Sequence, residues 1–437
     1  MRLSGGGKRI VFTTAGSLGD LHPYIALALG LKARGHHPVI ATFGVYKDLI
    51  QALGIEFRPM RAIEADQIDG NVARFLLDSS RWWALLVNDQ IMPQLRYGYQ
   101  DICEAANGAD LMVAHPLSCG TPLAAEKLGI PWVSTCLAPV SFWSAYDPSP
   151  LCYPRPLAFF ANHRLVGSAI QKWVLRHLDG KFQAAFQPWR QLRREIGLPD
   201  TVAPPFGNVR SPTLHLALFS ELLGARQRDW PANTEITGFP FYDDYTSGSL
   251  SAELASFLDS GPPPLVFTLS SLAVMSPGQF YEDSVEAARR LGRRAVLVTG
   301  SDPKTRPASL PDEVIAVDYA PFSALFRRAA AVVHHGGVGT TAQAMRAGRP
   351  MLVVPFFADQ PDNADRVRRL GVARTVERRS YSATRAVREL SQLLGEDRYA
   401  ERASEVGRRV HEEDGTARAC EVLERLTRSG SVGMQAV

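Results

Sequence analysis

The sequence predicts an α/β protein made of two doubly wound parallel-sheet domains that face each other across a cleft. Three observations predict it. Short apolar runs rich in Val and Ile alternate with helix-length segments, and the alternation starts, breaks off and starts again. The break falls at 226–250, a stretch dense in Pro, Gly and polar residues. The second series contains a glycine-rich strand-to-helix turn at 334–341, the kind of place where open α/β sheets bind ligands.

The division follows. Residues 1–225 form an N-terminal Rossmann-like domain, 226–250 a linker and 251–410 a second Rossmann-like domain. Residues 411–437 form a terminal helix and tail expected to return to the first domain. In the first half, Arg9–Thr14 (RIVFTT) reads as a strand and Ala15–His22 as a loop. Pro23 suits a first helical turn, with the helix running Tyr24–Arg34 to Gly35. Pro38–Phe43 is the second strand. Residues 60–108 look helical and aromatic-rich. Leu111–Ala114 and Ile130–Thr135 are strands around a helix at Thr121–Leu128. Residues 138–160, full of Pro and aromatics, suit a shaped loop over a cleft. Residues 163–196 are helical, and Leu214–Ser220 is a further strand.

After the linker, Leu265–Leu269, Ala295–Thr299 and Val314–Val317 read as strands, with a helix at Gln279–Leu291 and a short one at 321–328. Ala331–Val333 is a buried-type strand that ends at His334, His335 and the glycines 336, 337 and 339. A helix over 340–347 follows, stopped by Gly348 and Pro350. Met351–Phe357 is the next strand, and helices at 383–394, 398–411 and 415–428 close the chain.

Composition narrows the class. The chain has 437 residues, 46% apolar and 21% charged, ample for packed cores. Its 48 basic and 44 acidic residues give a net charge of +4. The arginines are spread at helical spacing, as solvated helix faces are, so no nucleic-acid surface is expected and at most peripheral membrane contact. Five cysteines without a CxxC or metal spacing predict a reduced, cytoplasmic protein without a disulfide frame. No apolar stretch is long enough for a membrane span or signal peptide. No cofactor or metal site is evident.

The chemistry-bearing residues sit at expected strand ends. Glycines let backbone approach a ligand, and the first N–H groups of a helix lack intrahelical partners, so the 334–341 turn is a candidate phosphate site. An ordinary tight turn whose His and Thr only cap the helix is the plain alternative. Tyr319 offers a plane for stacking on a base, or is a core aromatic. Asp359 and Gln360 can hold sugar hydroxyls, though Asp359 also suits a helix N-cap before Pro361. Asp20, in the first loop, is a candidate general base or a helix N-cap. His115 can pair with it, fixing the imidazole tautomer, or can be a capping or core histidine. The aromatic segments 75–99 and 132–153, including Trp82, Trp83, Phe142 and Trp143, suggest an apolar acceptor pocket or plain core packing.

These residues resemble a known family. The run HHGGVGTTAQAMRAGRPMLVVPFFADQPDNADRV is similar to the nucleotide-sugar signature of the GT1 glycosyltransferases of GT-B fold. GSLGDLHPYIALALGLKARGH resembles their N-terminal motif. RDWPANTEITGFPFYD resembles the interdomain segment of the sterol glucosyltransferase and rhamnolipid rhamnosyltransferase branches.

The resemblance implies inverting, metal-independent transfer of a hexose from a nucleoside diphosphate sugar to a hydroxyl of a hydrophobic acceptor (phenolic, sterol, polyketide or lipid). It implies that His334 contacts the diphosphate, with Gly337, Gly339, Thr340 and Thr341 lining the turn. Tyr319 stands where plant enzymes stack a Trp on the base. Ser271 falls at the hydroxyl of the usual FGS motif, and Asp359 and Gln360 match the pair that reads sugar hydroxyls. Asp20 stands where the sterol and vancomycin-group members carry Asp, and His115 where plant members carry the supporting Asp. Ala342 replaces a ribose-binding Glu of many UDP-sugar enzymes. UDP-glucose is the expected donor, with dTDP-rhamnose as the alternative. A nucleotide-sugar epimerase and a non-catalytic nucleotide-sugar-binding protein are readings of other classes. The sequence does not specify an oligomeric state.

Overall fold

The structure is a computed structural model, and residues 6–61, 86–150, 167–201, 211–243, 249–269 and 273–429 are described. Among them, seven strands form one parallel sheet and six another. The first comprises β1 (Arg9–Thr13), β2 (His37–Thr42), β3 (Glu56–Pro59), β4 (Leu111–Ala114), β5 (Trp132–Cys136), β6 (Leu214–Ala217) and β7 (Thr234–Ile236). Their order is β3-β2-β1-β4-β5-β6-β7. The second comprises β8 (Leu265–Thr268), β9 (Ala295–Val298), β10 (Val314–Val317), β11 (Ala331–His334), β12 (Met351–Val353) and β13 (Ala373–Thr375), ordered β10-β9-β8-β11-β12-β13. β1, β4, β8 and β11 are buried along nearly their whole length, as strands covered by helices on both faces must be. The strand order of each parallel sheet reverses once, between β1 and β4 and between β8 and β11. Such a reversal opens a crevice at the carboxyl ends of its two strands.

The structure departs from the sequence expectation in three places. The first helix spans Leu18–Ala33, with Pro23 inside it rather than at its start. The cause is a capping box: Ser17 N–H and Oγ–H both donate to Asp20 Oδ2, at 2.8 and 3.0 Å. Second, the stretch expected to be linker contributes β7, which pairs with β6 from His215↔Thr234 to Ala217↔Ile236. Third, β3 pairs with β2 at residues for which the sequence suggests no element.

The halves are tied together in two ways. The last helix, Gly415–Ser429, packs on the first. Ala419, Cys420, Val422 and Leu423 join Leu27, Ala28 and Leu31 in one core cluster. The contact depends on Gly30, where a Cβ would lie 2.9 Å from Cys420 Sγ and 3.0 Å from Thr416 Cγ2. Glu424 adds bonds to His36 Nε2 at 3.0 Å and Arg34 at 3.1 Å. Nearer the cleft, the buried Arg366 of the Gln360–Arg369 helix bonds Asp362 at 2.5 Å, Asp147 of the first domain, and the Leu223 carbonyl at 3.3 Å. No described helix is long and apolar enough to cross a membrane.

Candidate active site

In the first domain, β1 and β4 are hydrogen-bonded neighbours with Thr13 beside Ala114. The loops leaving them therefore emerge side by side. One carries Asp20, at the third position of the first helix, and the other carries His115. His115 Nε2 lies 3.4 Å from Asp20 Oδ1. The Leu117 N–H donates to His115 Nδ1 at 3.1 Å, which leaves the ring hydrogen on Nε2, pointing to the carboxylate. His115 is 3% exposed at its side chain and Asp20 33%. Only the carboxylate can meet a ligand; the imidazole stands behind it, its ring edge-on to Tyr24 at 5.9 Å. Burial raises the Asp20 pKa, but the bonds from His115 and Ser17 outweigh it and hold the carboxyl below its ordinary value. Gly16 is required beside it: at φ +136°, a Cβ there would sit 2.3 Å from Asp20 Oδ2.

In the second domain, β11 ends at His334, which is fully buried. Its Nδ1 accepts the Gly336 N–H at 3.1 Å, and its Nε2 has no partner. Burial, helped by His335, pushes its pKa down to about 3, so the ring is a neutral donor through Nε2. His335 is likewise lowered to about 3 by burial, and its Nδ1 is unpartnered. The helix that follows, Val338–Arg346, begins two residues before its expected start. Its N-cap is Gly337, which has no side-chain oxygen to cap the first amides. Gly339 is exposed, Thr340 half-buried, and Thr341 buried with an unpartnered Oγ1. An uncapped helix N-terminus with an imidazole N–H and a hydroxyl lacking partners is a fitting seat for a diphosphate.

Beyond β12 the chain turns through Ala358, at φ +54°, into the Gln360–Arg369 helix. Asp359 is the N-cap residue, but its carboxylate makes no cap bond and instead accepts from Asn363 Nδ2 at 2.7 Å. Burial pushes Asp359 up to about 7; Asn363 opposes the rise, and the charges of Asp20 and Asp362 add to it. Asp20 thus acts on Asp359 from the facing domain. Tyr319, just past β10, is 60% exposed and so is not a core aromatic.

Of the other expected residues, Gln360 has its side-chain oxygen committed and Phe142 lies in the core. Gln360 is 4% exposed, and its Oε1 accepts the N–H groups of Phe356 and Phe357 at 2.8 and 3.1 Å. That oxygen shapes the turn, so the Nε2 hydrogens are the part of the amide left for a sugar hydroxyl. Phe142 stacks on Trp230 at 4.0 Å and 16° and is 3% exposed, so it is core rather than acceptor pocket. Trp143, in left-handed conformation at φ 48°, packs its ring against Phe182. Ser271, Trp82 and Trp83 lie outside the described residues. Sequence reading missed Asn363; the available signal was its i+4 spacing from Asp359 on a helix.

Residues 10–146 match the glycosyltransferase family 28 N-terminal domain, and 286–427 the C-terminal domain of erythromycin biosynthesis protein CIII-like proteins. The chain is 32% identical to the O-mycaminosyltylonolide 6-deoxyallosyltransferase of Streptomyces fradiae, over 95% of this chain and 97% of that one. It is 29% identical to the sterol 3-beta-glucosyltransferase of Leptosphaeria maculans, over 95% of this chain but 28% of that protein, and so spans under a third of that relative. The glycotransferase of kitacinnamycin superposes with a TM-score of 0.72 at 22% identity, covering 96% of this chain and 99% of its own. With matched domains in both halves and a full-length relative, the chain belongs to the GT1 glycosyltransferases of GT-B fold.

Proposed function

We propose that this glycosyltransferase moves a hexose, with inversion and without a metal, from a nucleoside diphosphate sugar to a hydroxyl of an apolar polyketide- or sterol-like acceptor. The observation that carries the proposal is the placement of Asp20. It is a hydrogen-bonded, partly exposed carboxylate whose charge is felt by Asp359 on the opposite domain.

In this reaction the acceptor hydroxyl gives its proton to Asp20 while its oxygen attacks the anomeric carbon. The bond from that carbon to the diphosphate oxygen breaks, and the electron pair leaves with the diphosphate. His115 holds the carboxylate in place through Nε2–H and stays behind it. Charge growing on the leaving group meets the His334 Nε2–H, the Thr341 hydroxyl and the first amides of the Val338–Arg346 helix. These groups are neutral donors and dipoles, and their burial strengthens each of them. Tyr319 stacks on the base, and Asp359 accepts from a sugar hydroxyl.

For the donor, the sequence reading favours UDP-glucose, the choice that the sterol-type relatives support. Ala342 supports a second reading. It is buried and supplies no carboxylate in the first turns of the Val338–Arg346 helix, where a ribose-binding Glu would stand. With the 6-deoxyallosyl specificity named for the Streptomyces relative, it favours a thymidine diphosphate 6-deoxyhexose, and we adopt that donor.

The test is direct. The protein is incubated with dTDP-rhamnose, another dTDP-6-deoxyhexose and UDP-glucose, each with macrolactone, sterol, phenolic and hydroxy-fatty-acid acceptors. A mass gain of one deoxyhexosyl unit on a macrolactone is the expected result. Mass gain only with UDP-glucose restores the first donor. No glycosylated product with any pair defeats the reading.

A further inference from the structure

Asn363 is 0% exposed and sits one helical turn after Asp359. Its amide nitrogen carries two hydrogens, and both have destinations. One goes to the Gly336 carbonyl at 3.0 Å and the other to Asp359 Oδ2 at 2.7 Å. Its Oδ1 is buried without a partner. An interior amide left half-satisfied is costly, so its two donor bonds have to be worth the position.

The bonds join two separate parts of the site. Gly336 is the left-handed pivot of the phosphate turn, at φ +90°. A Cβ there would meet Val353 Cγ1 at 2.9 Å and the Gln360 carbonyl at 3.1 Å. That turn sets where the His334 ring and the helix N-terminus point. Asp359 is the carboxylate facing the first domain. Resting on the proposed reaction, we infer that Asn363 is a positioning residue that fixes the diphosphate turn and the sugar-facing carboxylate relative to one another.

The link has a titration consequence. Asp359 accepts best when ionised, and its burial works against ionisation; the Asn363 bond opposes that pressure. The other charged groups bearing on it are Asp20 from the first domain, itself backed by His115, and Asp362 on its own helix, paired with Arg366. None of these donates to Asp359; besides its own backbone N–H, Asn363 is the group that favours the charged form, and the larger of the two.

The experiment measures kcat and donor KM from pH 5.5 to 9 for wild type, Asn363→Ala, Asn363→Ser and His334→Ala. In Asn363→Ala the acid limb of kcat/KM moves up by about one pH unit. Donor KM near pH 7 rises about tenfold. Asn363→Ser, with one hydrogen to give, moves both in the same direction by less, and it serves if the alanine variant folds poorly. An unmoved pH profile, whether the rate is normal or scaled down uniformly, overturns the inference, since a merely structural role would leave its shape alone. Wild type that turns over no nucleoside diphosphate sugar defeats the proposed reaction instead. Active wild type with an impaired His334→Ala and an unmoved Asn363→Ala profile defeats only the positioning role.

Discussion

The two crevices sit at equivalent places in their sheets, yet they hold their polar groups in opposite states. Asp20 is satisfied: three donors, from Ser17 N, Ser17 Oγ and His115 Nε2, reach its two oxygens. The groups around His334 are not. His334 Nε2, His335 Nδ1 and Thr341 Oγ1 are buried without partners, and the following helix has a glycine cap. Unpaired buried donors favour whatever brings acceptors to them. A fixed, solvated carboxylate gains little from binding but is ready to take a proton. On the proposed reaction, this contrast puts affinity for the donor chiefly in the second domain and the proton transfer in the first.

The largest test of that contrast is the first domain's carboxylate. Asp20→Asn is expected to lower kcat by about a thousandfold, the middle of the range for general bases, with donor KM little changed. His115→Ala is expected to lower kcat as well, and adding it to Asp20→Asn should cost almost nothing more, because the imidazole acts through the carboxylate. Steady-state rates for the two single variants and the double variant decide this. Additive losses would separate the pair.

Next comes the second domain. His334→Ala is expected to cost about a hundredfold in kcat/KM, as losing one donor to developing charge typically does. Isothermal titration with the nucleoside diphosphate should show weaker binding in this variant and normal binding in Asp20→Asn. If both variants bind the diphosphate like wild type, the division of labour fails.

The smallest expected effect is on stability. His334 and His335 ionise at about 3 when folded and about 6.5 when unfolded, so the unfolded chain binds more protons in between. Stability is therefore full above pH 6.5 and is lost as pH falls below it. At pH 5 the loss is about 2 kcal/mol for each histidine. Asp359, raised to about 7, works the other way, its contribution fading as pH rises from about 4 toward 7. Because Asp359 offsets more than half of the histidine loss, urea midpoints at pH 5 and 7.5 should show a small net acid loss in wild type that disappears in His334→Gln. The same pH dependence in wild type and His334→Gln would contradict the buried, neutral state of the His334 ring.

What was legible in the sequence follows from what is local. Parallel strands buried on both faces are continuous apolar runs, so β1, β4, β8 and β11 were plain. The 334–341 turn is plain because its glycines, its histidines and its helix are contiguous. The first helix starts earlier than Pro23 suggests because Ser17-x-x-Asp20 is a stronger start signal than a first-turn proline. β7 is three residues long within a Pro- and Gly-rich stretch, and only its pairing with β6 reveals it. Phe142 shows the limit of composition: an aromatic in a loop next to a cleft can face either way, and here Trp230 and Phe219 claim it. Gln360 shows the same for one polar atom, since the backbone partners of its Oε1 lie three and four residues back in an irregular turn.

The last helix has a practical consequence for anyone recombining such proteins. The chain crosses between the domains twice, once near Phe239 and once near Gly415, where a Cβ would lie 2.5 Å from the Phe239 carbonyl oxygen. The second half is thus an insertion in a domain whose first and last helices are packed against each other. A chimera that exchanges it has to be spliced at both crossings, keeping Gly415–Ser429 from the same parent as Leu18–Ala33. A single junction at the linker would pair the Gly30 groove with a foreign helix and leave Cys420 without the surface cut to fit it.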